Sequence, residues 1–277
     1  TLTTAAYGGL VENKKHNSDG TFQTTAGKAE RNALEISNGN IVNAYGAKVT
    51  PKGGSADENG VKITGGTISG SAYGADLSAA ASTGTGAKNK AEMTNGIVNG
   101  SLYGAHTAGS GTLTESEVSV SGGTISGSVY GSDIASGAGD ATGSKITISG
   151  GAVTGSVYGG KTAGTGAATG HTLNLYGGSV AGDVFGGHTA SGATTGNTVN
   201  LGDGVHSLPS GTTVTGTIYG GNQAADTDNV LNVNTNAQAG NIANFSMVNF
   251  NFNSTFNQGN PMLNLVGGSV TTIGWNK

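Results

Sequence analysis

The chain has 277 residues, among them 53 glycines, three prolines and no cysteine, and its formal net charge is −4. The lack of cysteine excludes disulfide frameworks and thiolate metal centres, and the glycine content disfavours compact helical folds. The sparse, mildly acidic charge provides no basic stripe for nucleic acid, and no apolar run approaches the roughly 18 residues that insertion into a membrane requires. Hydrophobic residues still make up 34% of the chain, which predicts a regular fold that buries them.

The first region, residues 1–33, is predicted to be an N-terminal coil or loop region. Tyr7 followed by Gly8 resembles the start of the repeat in residues 34–222, whereas residues 11–32 are polar and show no apolar pattern. We expect these residues to form a loop or a frayed first coil.

Residues 34–222 form a regular repeat whose landmark is an aromatic residue followed by glycine. The spacings between successive landmarks are 28, 30, 27, 28, 27 and 34 residues, and the landmarks themselves are Tyr45, Tyr73, Tyr103, Tyr130, Tyr158, Phe185 and Tyr219. Such self-similarity at a fixed period is typical of solenoids. Because consecutive landmarks would stack, the sequence predicts a ladder of aromatic side chains along the axis.

In the five complete units, from that of Tyr73 to that of Phe185, apolar residues recur twelve, ten, five and one positions before the landmark, as Val118, Val120, Ile125 and Val129 do before Tyr130. Their β-branched character and period-two spacing indicate short strands with one buried face. A glycine seven positions before the landmark, such as Gly123, marks a turn between the two apolar pairs. A unit of this size cannot bury its own apolar face, but stacked units can.

The sequence therefore predicts an all-β, single-stranded parallel β-helix, or β-solenoid, of about ten coils of about 28 residues, with neighbouring coils about 4.8 Å apart. A further glycine row lies three positions before the landmark, for example at Gly127. Since glycine is unfavourable inside a strand, this row predicts a place where the interior is thin and the opposite wall fills the space.

Residues 223–277 are rich in asparagine and phenylalanine and are predicted to form degenerate coils of the same solenoid. The LNL motif of residues 263–265 repeats that of residues 173–175. We expect asparagine side chains in this region to stack and to form hydrogen bonds along the axis.

A second candidate row, here called the slot column, lies three positions after each landmark. It predicts opposite charges next to each other and a histidine between two carboxylates, and it comprises Lys48, Asp76, His106, Asp133, Lys161, His188 and Asn222. We interpret it as an exposed polar column. The alternative is polysaccharide cleavage by Asp76 and Asp133, but no second acidic cluster supports it, so no catalytic residue is assigned. The two histidines are too far apart to share a metal, and no metal or cofactor is predicted.

Residues 155–162, GSVYGGKT, match the phosphate-binding pattern of glycine, four residues, then glycine, lysine and threonine. That motif needs a following helix, whereas AGTGAATG stands there in this chain. Equivalent units place histidine, asparagine or aspartate where Lys161 stands, so we interpret the match as structural.

The segments between the slot column and the next strand vary in length and charge, as in residues 77–90 and 107–117. Loops on a rigid scaffold change without disturbing the core, and these loops leave successive coils at the same point. The sequence therefore predicts recognition along one edge of the rod. An exposed aromatic ladder that binds sugar rings is the alternative site.

The runs SGGTISGSVYG and LYGGSVAGDVFGGHTASGATTGNTVNL resemble the passenger regions of Gram-negative type V autotransporter adhesins, over roughly residues 34–277. This resemblance implies a right-handed β-helix displayed outside the cell or on the bacterial surface. It also implies a non-enzymatic adhesin that binds a host or bacterial surface protein or glycan. A structural spacer or self-associating fibre subunit is the second hypothesis, and a polysaccharide-active enzyme the third.

Overall fold

The structure, a computed structural model, describes residues 5–11, 27–79, 82–203, 213–222, 226–252 and 261–267. These residues form 29 strands, numbered β1–β29 in chain order. Within the same ranges no helix is present that could span a membrane.

Each complete coil begins with a leading strand, which a short linking strand follows. The leading strands are β3 (Ala33–Ile36), β7 (Gly60–Ile63), β11 (Lys90–Met93), β15 (Glu117–Val120), β24 (Thr198–Leu201), β26 (Val230–Val233) and β28 (Met247–Phe250). The linking strands are β4 (Asn40–Ile41), β8 (Thr67–Ile68), β12 (Ile97–Val98) and β16 (Thr124–Ile125). In two coils the leading and linking strands are continuous, as β19 (Lys145–Val153) and β22 (Thr172–Val180).

The aromatic strands carry the landmarks, and short strands close the coil. The aromatic strands are β1 (Ala6–Val11), β5 (Ala44–Val49), β9 (Ala72–Leu77), β13 (Leu102–Thr107), β17 (Val129–Ile134), β20 (Val157–Thr162), β23 (Val184–Thr189) and β25 (Thr213–Tyr219). The short strands are β2 (Lys28–Glu30), β6 (Ser55–Asp57), β10 (Gly86–Ala87), β14 (Leu113–Thr114), β18 (Ala141–Thr142) and β21 (Ala168–Thr169). Towards the C-terminal end, β27 (Ala237–Ala243) pairs with β25, and β29 (Leu263–Leu265) pairs with β27.

All strand pairings are parallel and join equivalent positions of neighbouring coils. Between β13 and β17, for example, Leu102 pairs with Val129 and Tyr103 with Tyr130. The predicted all-β parallel solenoid is confirmed, but with about eight coils rather than ten. The coil count is lower because three coils are longer than 28 residues, and the shortest of these is the 30-residue coil between Tyr73 and Tyr103. Phe185 pairs directly with Tyr219 although 34 residues separate them, and Tyr7 pairs with Tyr45 across a still longer segment.

The interior holds two apolar cores. The four predicted apolar rows line the larger core, where Val118, Val120, Ile125 and Val129 are all fully buried. The smaller core lies between the aromatic and short strands and contains Ala29, Ala47, Val49, Ala56, Ala75, Leu77, Ala105, Leu113, Ile134 and Ala141. The sequence analysis did not predict this second core.

A narrow waist separates the two cores. It forms where the glycine after each landmark faces a buried polar residue that precedes the leading strand. A β-carbon added to Gly131 would lie 2.8 Å from Ser144 Cβ and would also overlap the Gly159 carbonyl oxygen of the next coil. Carbon atoms in contact normally lie about 3.5–4.0 Å apart, so only glycine fits at this position.

The waist is thus at a different glycine row from the one that the sequence predicted. Gly127 lies at a partly exposed bend, and its close neighbours belong to the preceding coil rather than the opposite wall. A β-carbon there would lie 2.5 Å from the Gly100 carbonyl oxygen. The prediction was wrong because the chain bends at this row instead of continuing as a strand.

The predicted turn glycines do adopt the left-handed backbone conformation. Gly96 and Gly123 have φ angles of 101° and 84°, and the equivalent glycines of other coils behave alike. Glycine is favoured at this row because other residues are strained at such angles.

Candidate functional site

The aromatic ladder runs along the outer face of the solenoid. Its seven predicted rings, with Tyr7 in addition, stack face to face, and successive ring centroids are 4.7–5.2 Å apart. Neighbouring planes deviate from parallel by only 3–8°. The residue before each of the seven predicted rings lies in the larger core, so alternation along the strand directs these rings outward.

This stacking determines which part of each ring a ligand can reach. Both faces of an inner ring, such as that of Tyr103, are covered by the rings above and below it. Only ring edges are left to solvent, whereas stacking against a sugar requires a ring face. The ladder is therefore a structural element, and it does not offer the sugar-binding strip that was the alternative expectation.

Five tyrosine side chains of the ladder have raised pKa values. Burial, reinforced by Asp76, raises the pKa of Tyr73 to about 12. Burial is also the main cause of the raised pKa values of Tyr45, Tyr103, Tyr130 and Tyr158. These five hydroxyl groups are thus uncharged over the physiological pH range.

The slot column contains the predicted pairs of opposite charge at its N-terminal end. The ammonium group of Lys48 lies 3.7 Å from Asp76 Oδ2, and His106 Nδ1 lies 2.9 Å from Asp76 Oδ1. On its other side, His106 Nε2 is 3.6 Å from Asp133 Oδ2. Lys161 pairs in register with Asp133, but its ammonium group lies over the rings of Tyr130 and Tyr158, 5.5 and 5.3 Å from their centroids.

The slot column is less exposed than predicted. Asp76 is buried, and the side chains of His106 and Asp133 are only 19% and 13% exposed. The chain bends at the glycine after each landmark, so the aromatic ladder and the slot column converge on the outer face. The edge contacts between His106 and the rings of Tyr73 and Tyr103 show this convergence. His188 makes the same contacts with Tyr158 and Phe185, and Asn222 binds the Thr189 backbone.

Burial alters two further groups of the column. It raises the pKa of the Asp133 carboxyl, although His106 and Lys161 act in the opposite direction. It lowers the pKa of His188, and the positive charge of Lys161 adds to this effect. Within the described ranges, no group of three histidine, aspartate or glutamate side chains is arranged so that it could hold a metal ion.

The phosphate-loop match lies in a strand. Residues 157–162 form β20, and the short strand β21 follows at Ala168–Thr169 in place of a helix. Without helical N–H groups pointing at one place, the segment lacks the geometry that cradles a phosphate.

Substituting Lys161 with alanine is expected to leave nucleotide affinity unmeasurable, as in the parent protein. The side chain contributes two contacts with tyrosine rings, so we expect a stability loss of about 0.5–1 kcal/mol. Calorimetry with magnesium-ATP and a thermal melt test both statements. A micromolar isotherm that the substitution abolishes would contradict this interpretation.

An internal polar ladder was not predicted. It stands one position before the leading strands, and its members are Asn32, Asn59, Asn89, Ser116, Ser144, His171, Asn197 and Asn229. Asn89 Oδ1 accepts hydrogen bonds from the backbone N–H and the side-chain amide of Asn59, both at 3.0 Å. Asn89 Nδ2 donates to the Ala56 carbonyl at 2.7 Å. The ladder thereby satisfies buried backbone groups at the waist.

A second amide ladder lies on the outer face near the C-terminal end, where the sequence predicted stacked asparagines. Asn200, Asn232 and Asn249 each donate to the preceding asparagine over 2.8–2.9 Å. These side chains are partly buried and bind one another, so the ladder stabilises the stack.

The variable loops do line one edge of the rod. After each aromatic strand the chain pairs with the previous coil, as the Ala163 N–H does with the Ile134 carbonyl at 2.8 Å. Exposed residues then face outward, among them Ala135, Ala163 and Ala190. We call this column and its neighbouring loop residues the loop edge.

Parts of these loops are also core, contrary to the expectation that they vary freely. Within residues 107–117, Thr107, Leu113 and Ser116 are fully buried. Gly111 packs against the backbone of Gly84 in the preceding coil. Only the exposed positions can change without loss of packing.

No family model matches the chain, and neither a curated protein nor a solved structure shows significant similarity to it. A functional assignment therefore depends on the geometry of the solenoid.

Proposed function

We propose that this chain is a surface-displayed adhesin segment of the passenger type, which binds a protein or glycan on host or neighbouring cells. It acts outside the cell by presenting a surface and catalyses no reaction. The observation that carries the proposal is the loop edge, where equivalent exposed positions of successive coils stand in register on a rigid parallel stack.

Two properties of the loop edge suit recognition. Neighbouring coils are about 4.8 Å apart, so a long partner meets many weak contacts at once and gains avidity. The exposed side chains are small and mostly uncharged, such as Ala135, Ala163 and Ala190. The carboxylates of Asp76 and Asp133, by contrast, are largely covered, which disfavours the hydrolase alternative.

The test places arginine at three stacked positions of the loop edge, as Ala135→Arg, Ala163→Arg and Ala190→Arg in one protein. The matched control places arginine at Thr94, Ser121 and Ser149, which are also exposed and stand nine positions before the landmarks of three adjacent coils. Both variants gain three positive charges, and in both the added arginines of neighbouring coils repel one another.

We expect the loop-edge variant to lose at least tenfold in binding to cells and on a glycan and receptor array. The control should bind like the parent, and both should keep their β-sheet circular dichroism. Equal binding by all three proteins would contradict the proposal and favour a spacer role.

A second candidate function is self-association into a fibre. Among the described residues, β1 pairs with β5 on one side only, and Tyr7 and Leu10 are 42% and 43% exposed. An open strand edge is a template for pairing with another chain. Sedimentation of the parent protein and of the Leu10→Lys variant tests this function. If the chain is a fibre subunit, the parent protein assembles at low concentration and the lysine variant does not.

A further inference from the structure

We infer that His171 makes the solenoid acid-labile at one internal coil, so that protonation of this side chain opens the waist in the middle of the rod. This inference does not depend on the proposed function. It rests on the place of His171 in the internal polar ladder, where all other members are asparagine or serine.

The contacts of His171 suit only a neutral imidazole. The ring is fully buried, and its Nδ1 accepts a hydrogen bond from the Ser144 backbone N–H at 3.1 Å. A proton on Nδ1 would point at this N–H and break the bond. The other nitrogen, Nε2, lies near the Ala141 backbone and has no hydrogen-bond partner.

The opposite wall also excludes any adjustment of the ring. A β-carbon on Gly160 would overlap His171 Nε2, so the ring occupies the space that other residues would fill. In the coil before, Ser132 stands at the position of Gly160 and contacts Ser144, the smaller ladder member there, at 2.9 Å. A large ladder residue thus faces glycine, and a small ladder residue faces serine. The His171 ring therefore cannot turn away unless the waist opens.

No charged group stabilises an imidazolium at this place. The elements packed around the ring contribute Ala141, Ser144, Gly159, Gly160, Leu173 and Asn197, none of which titrates. The titratable side chains on the neighbouring segments are Asp140, Lys145 and Lys161. Asp140 is exposed and accepts a hydrogen bond from the Ala167 N–H. Lys145 is exposed, and Lys161 lies over the outer tyrosine rings.

Burial lowers the pKa of His171 from its ordinary 6.5 to about 3, against a weaker opposing effect of the Ala141 backbone. In the opened coil the imidazole regains its ordinary pKa. The stabilisation of the closed coil is therefore complete above pH 6.5 and is lost progressively as the pH falls from 6.5 towards 3. Each pH unit in that window favours opening about tenfold.

Hydrogen exchange of the whole chain at about pH 6.5 and about pH 4.5 tests the inference. The variants are His171→Asn, His171→Ser and, as a matched control, His188→Asn. Asparagine and serine occupy the same ladder position in other coils, so both replacements fit the fold. Relative to His171→Asn at each pH, the parent protein should lose about 50-fold of its amide protection in residues 141–175 between the two pH values, because the opened imidazole is already half protonated at the higher pH. The His188→Asn variant should respond like the parent, and His171→Ser like His171→Asn.

Acid effects of carboxyl groups are common to all four proteins and cancel in this comparison. The inference is overturned if the parent and His171→Asn lose protection equally. It is also overturned if His188→Asn alone abolishes the acid response, or if the acid response is spread evenly over all coils.

Discussion

The Gly131→Ala variant is expected to lose about 3 kcal/mol or more of its free energy of unfolding, although the change adds one methyl group. The φ angle of Gly131 lies outside the left-handed region, so the loss is steric. The added carbon would meet Ser144 Cβ at 2.8 Å and the backbone of Gly159 in the next coil, and neither a β-carbon fixed to its backbone nor a paired strand can yield easily. Overpacking of a filled interior typically costs about 1–3 kcal/mol, and this position lies at the upper end.

Gly170→Ala is the matched control. Its φ angle is 69°, and a β-carbon there would have nothing within 3.9 Å except the Gly143 backbone nitrogen. Lys88 and Glu115 occupy equivalent positions with φ angles of 53° and 51°, so we expect a cost of only about 1 kcal/mol. Denaturant unfolding followed by circular dichroism compares the two variants. Equal losses would show that the waist is not sterically filled.

Asn89→Ala is expected to destabilise the chain by about 3–6 kcal/mol. The substitution leaves the Asn59 N–H and the Ala56 carbonyl without their side-chain partner, and the Asn59 side-chain amide keeps only its bond to the Ala29 carbonyl. Each unsatisfied buried group costs about 1–3 kcal/mol. The measurement is again equilibrium unfolding in denaturant.

The control for this substitution is Asn99→Ala, because Asn99 is exposed on the same coil. We expect it to change stability by less than about 0.5 kcal/mol, as surface substitutions usually do. A small loss for Asn89→Ala would mean that water or a rearranged backbone replaces the internal hydrogen bonds.

The sequence predicted the larger core well because each of its rows is chemically uniform. Val118, Ile146 and Leu173 stand at the same distance from successive landmarks and share one property, which is burial of an aliphatic side chain. The in-register strand pairing followed directly from that spacing. Stacking of the landmark rings followed in the same way.

The internal polar ladder was missed because its members differ in chemistry. Asn89, Ser116, Ser144 and His171 all stand fourteen positions before a landmark, which is the signal that could have revealed the row. What unites them is a place in the interior rather than a residue type. The waist escaped prediction for a related reason. Alternation assigns inward and outward positions only while a strand is straight, and the chain bends at Gly131.

The slot column shows the limit of the same reasoning. The sequence predicted the order of charges in this column, from Lys48 to Lys161, but it did not predict how far the side chains are exposed to solvent. The covering of Asp76 depends on how closely two outer rows converge at a bend, and the ring edges around His106 come from strands of two different coils.

The direct pairing of Phe185 with Tyr219 across the longest internal coil has a consequence for engineering. The length of a coil does not determine the register of its strands. The coil from Phe185 to Tyr219 has 34 residues and the coil before it has 27, yet the rings of Phe185 and Tyr219 still stack with their centroids 4.7 Å apart. A foreign peptide inserted at that point should leave the neighbouring coils undisturbed. Peptides grafted into chosen coils would then be held at multiples of about 4.8 Å, which makes the rod a molecular ruler for spacing epitopes.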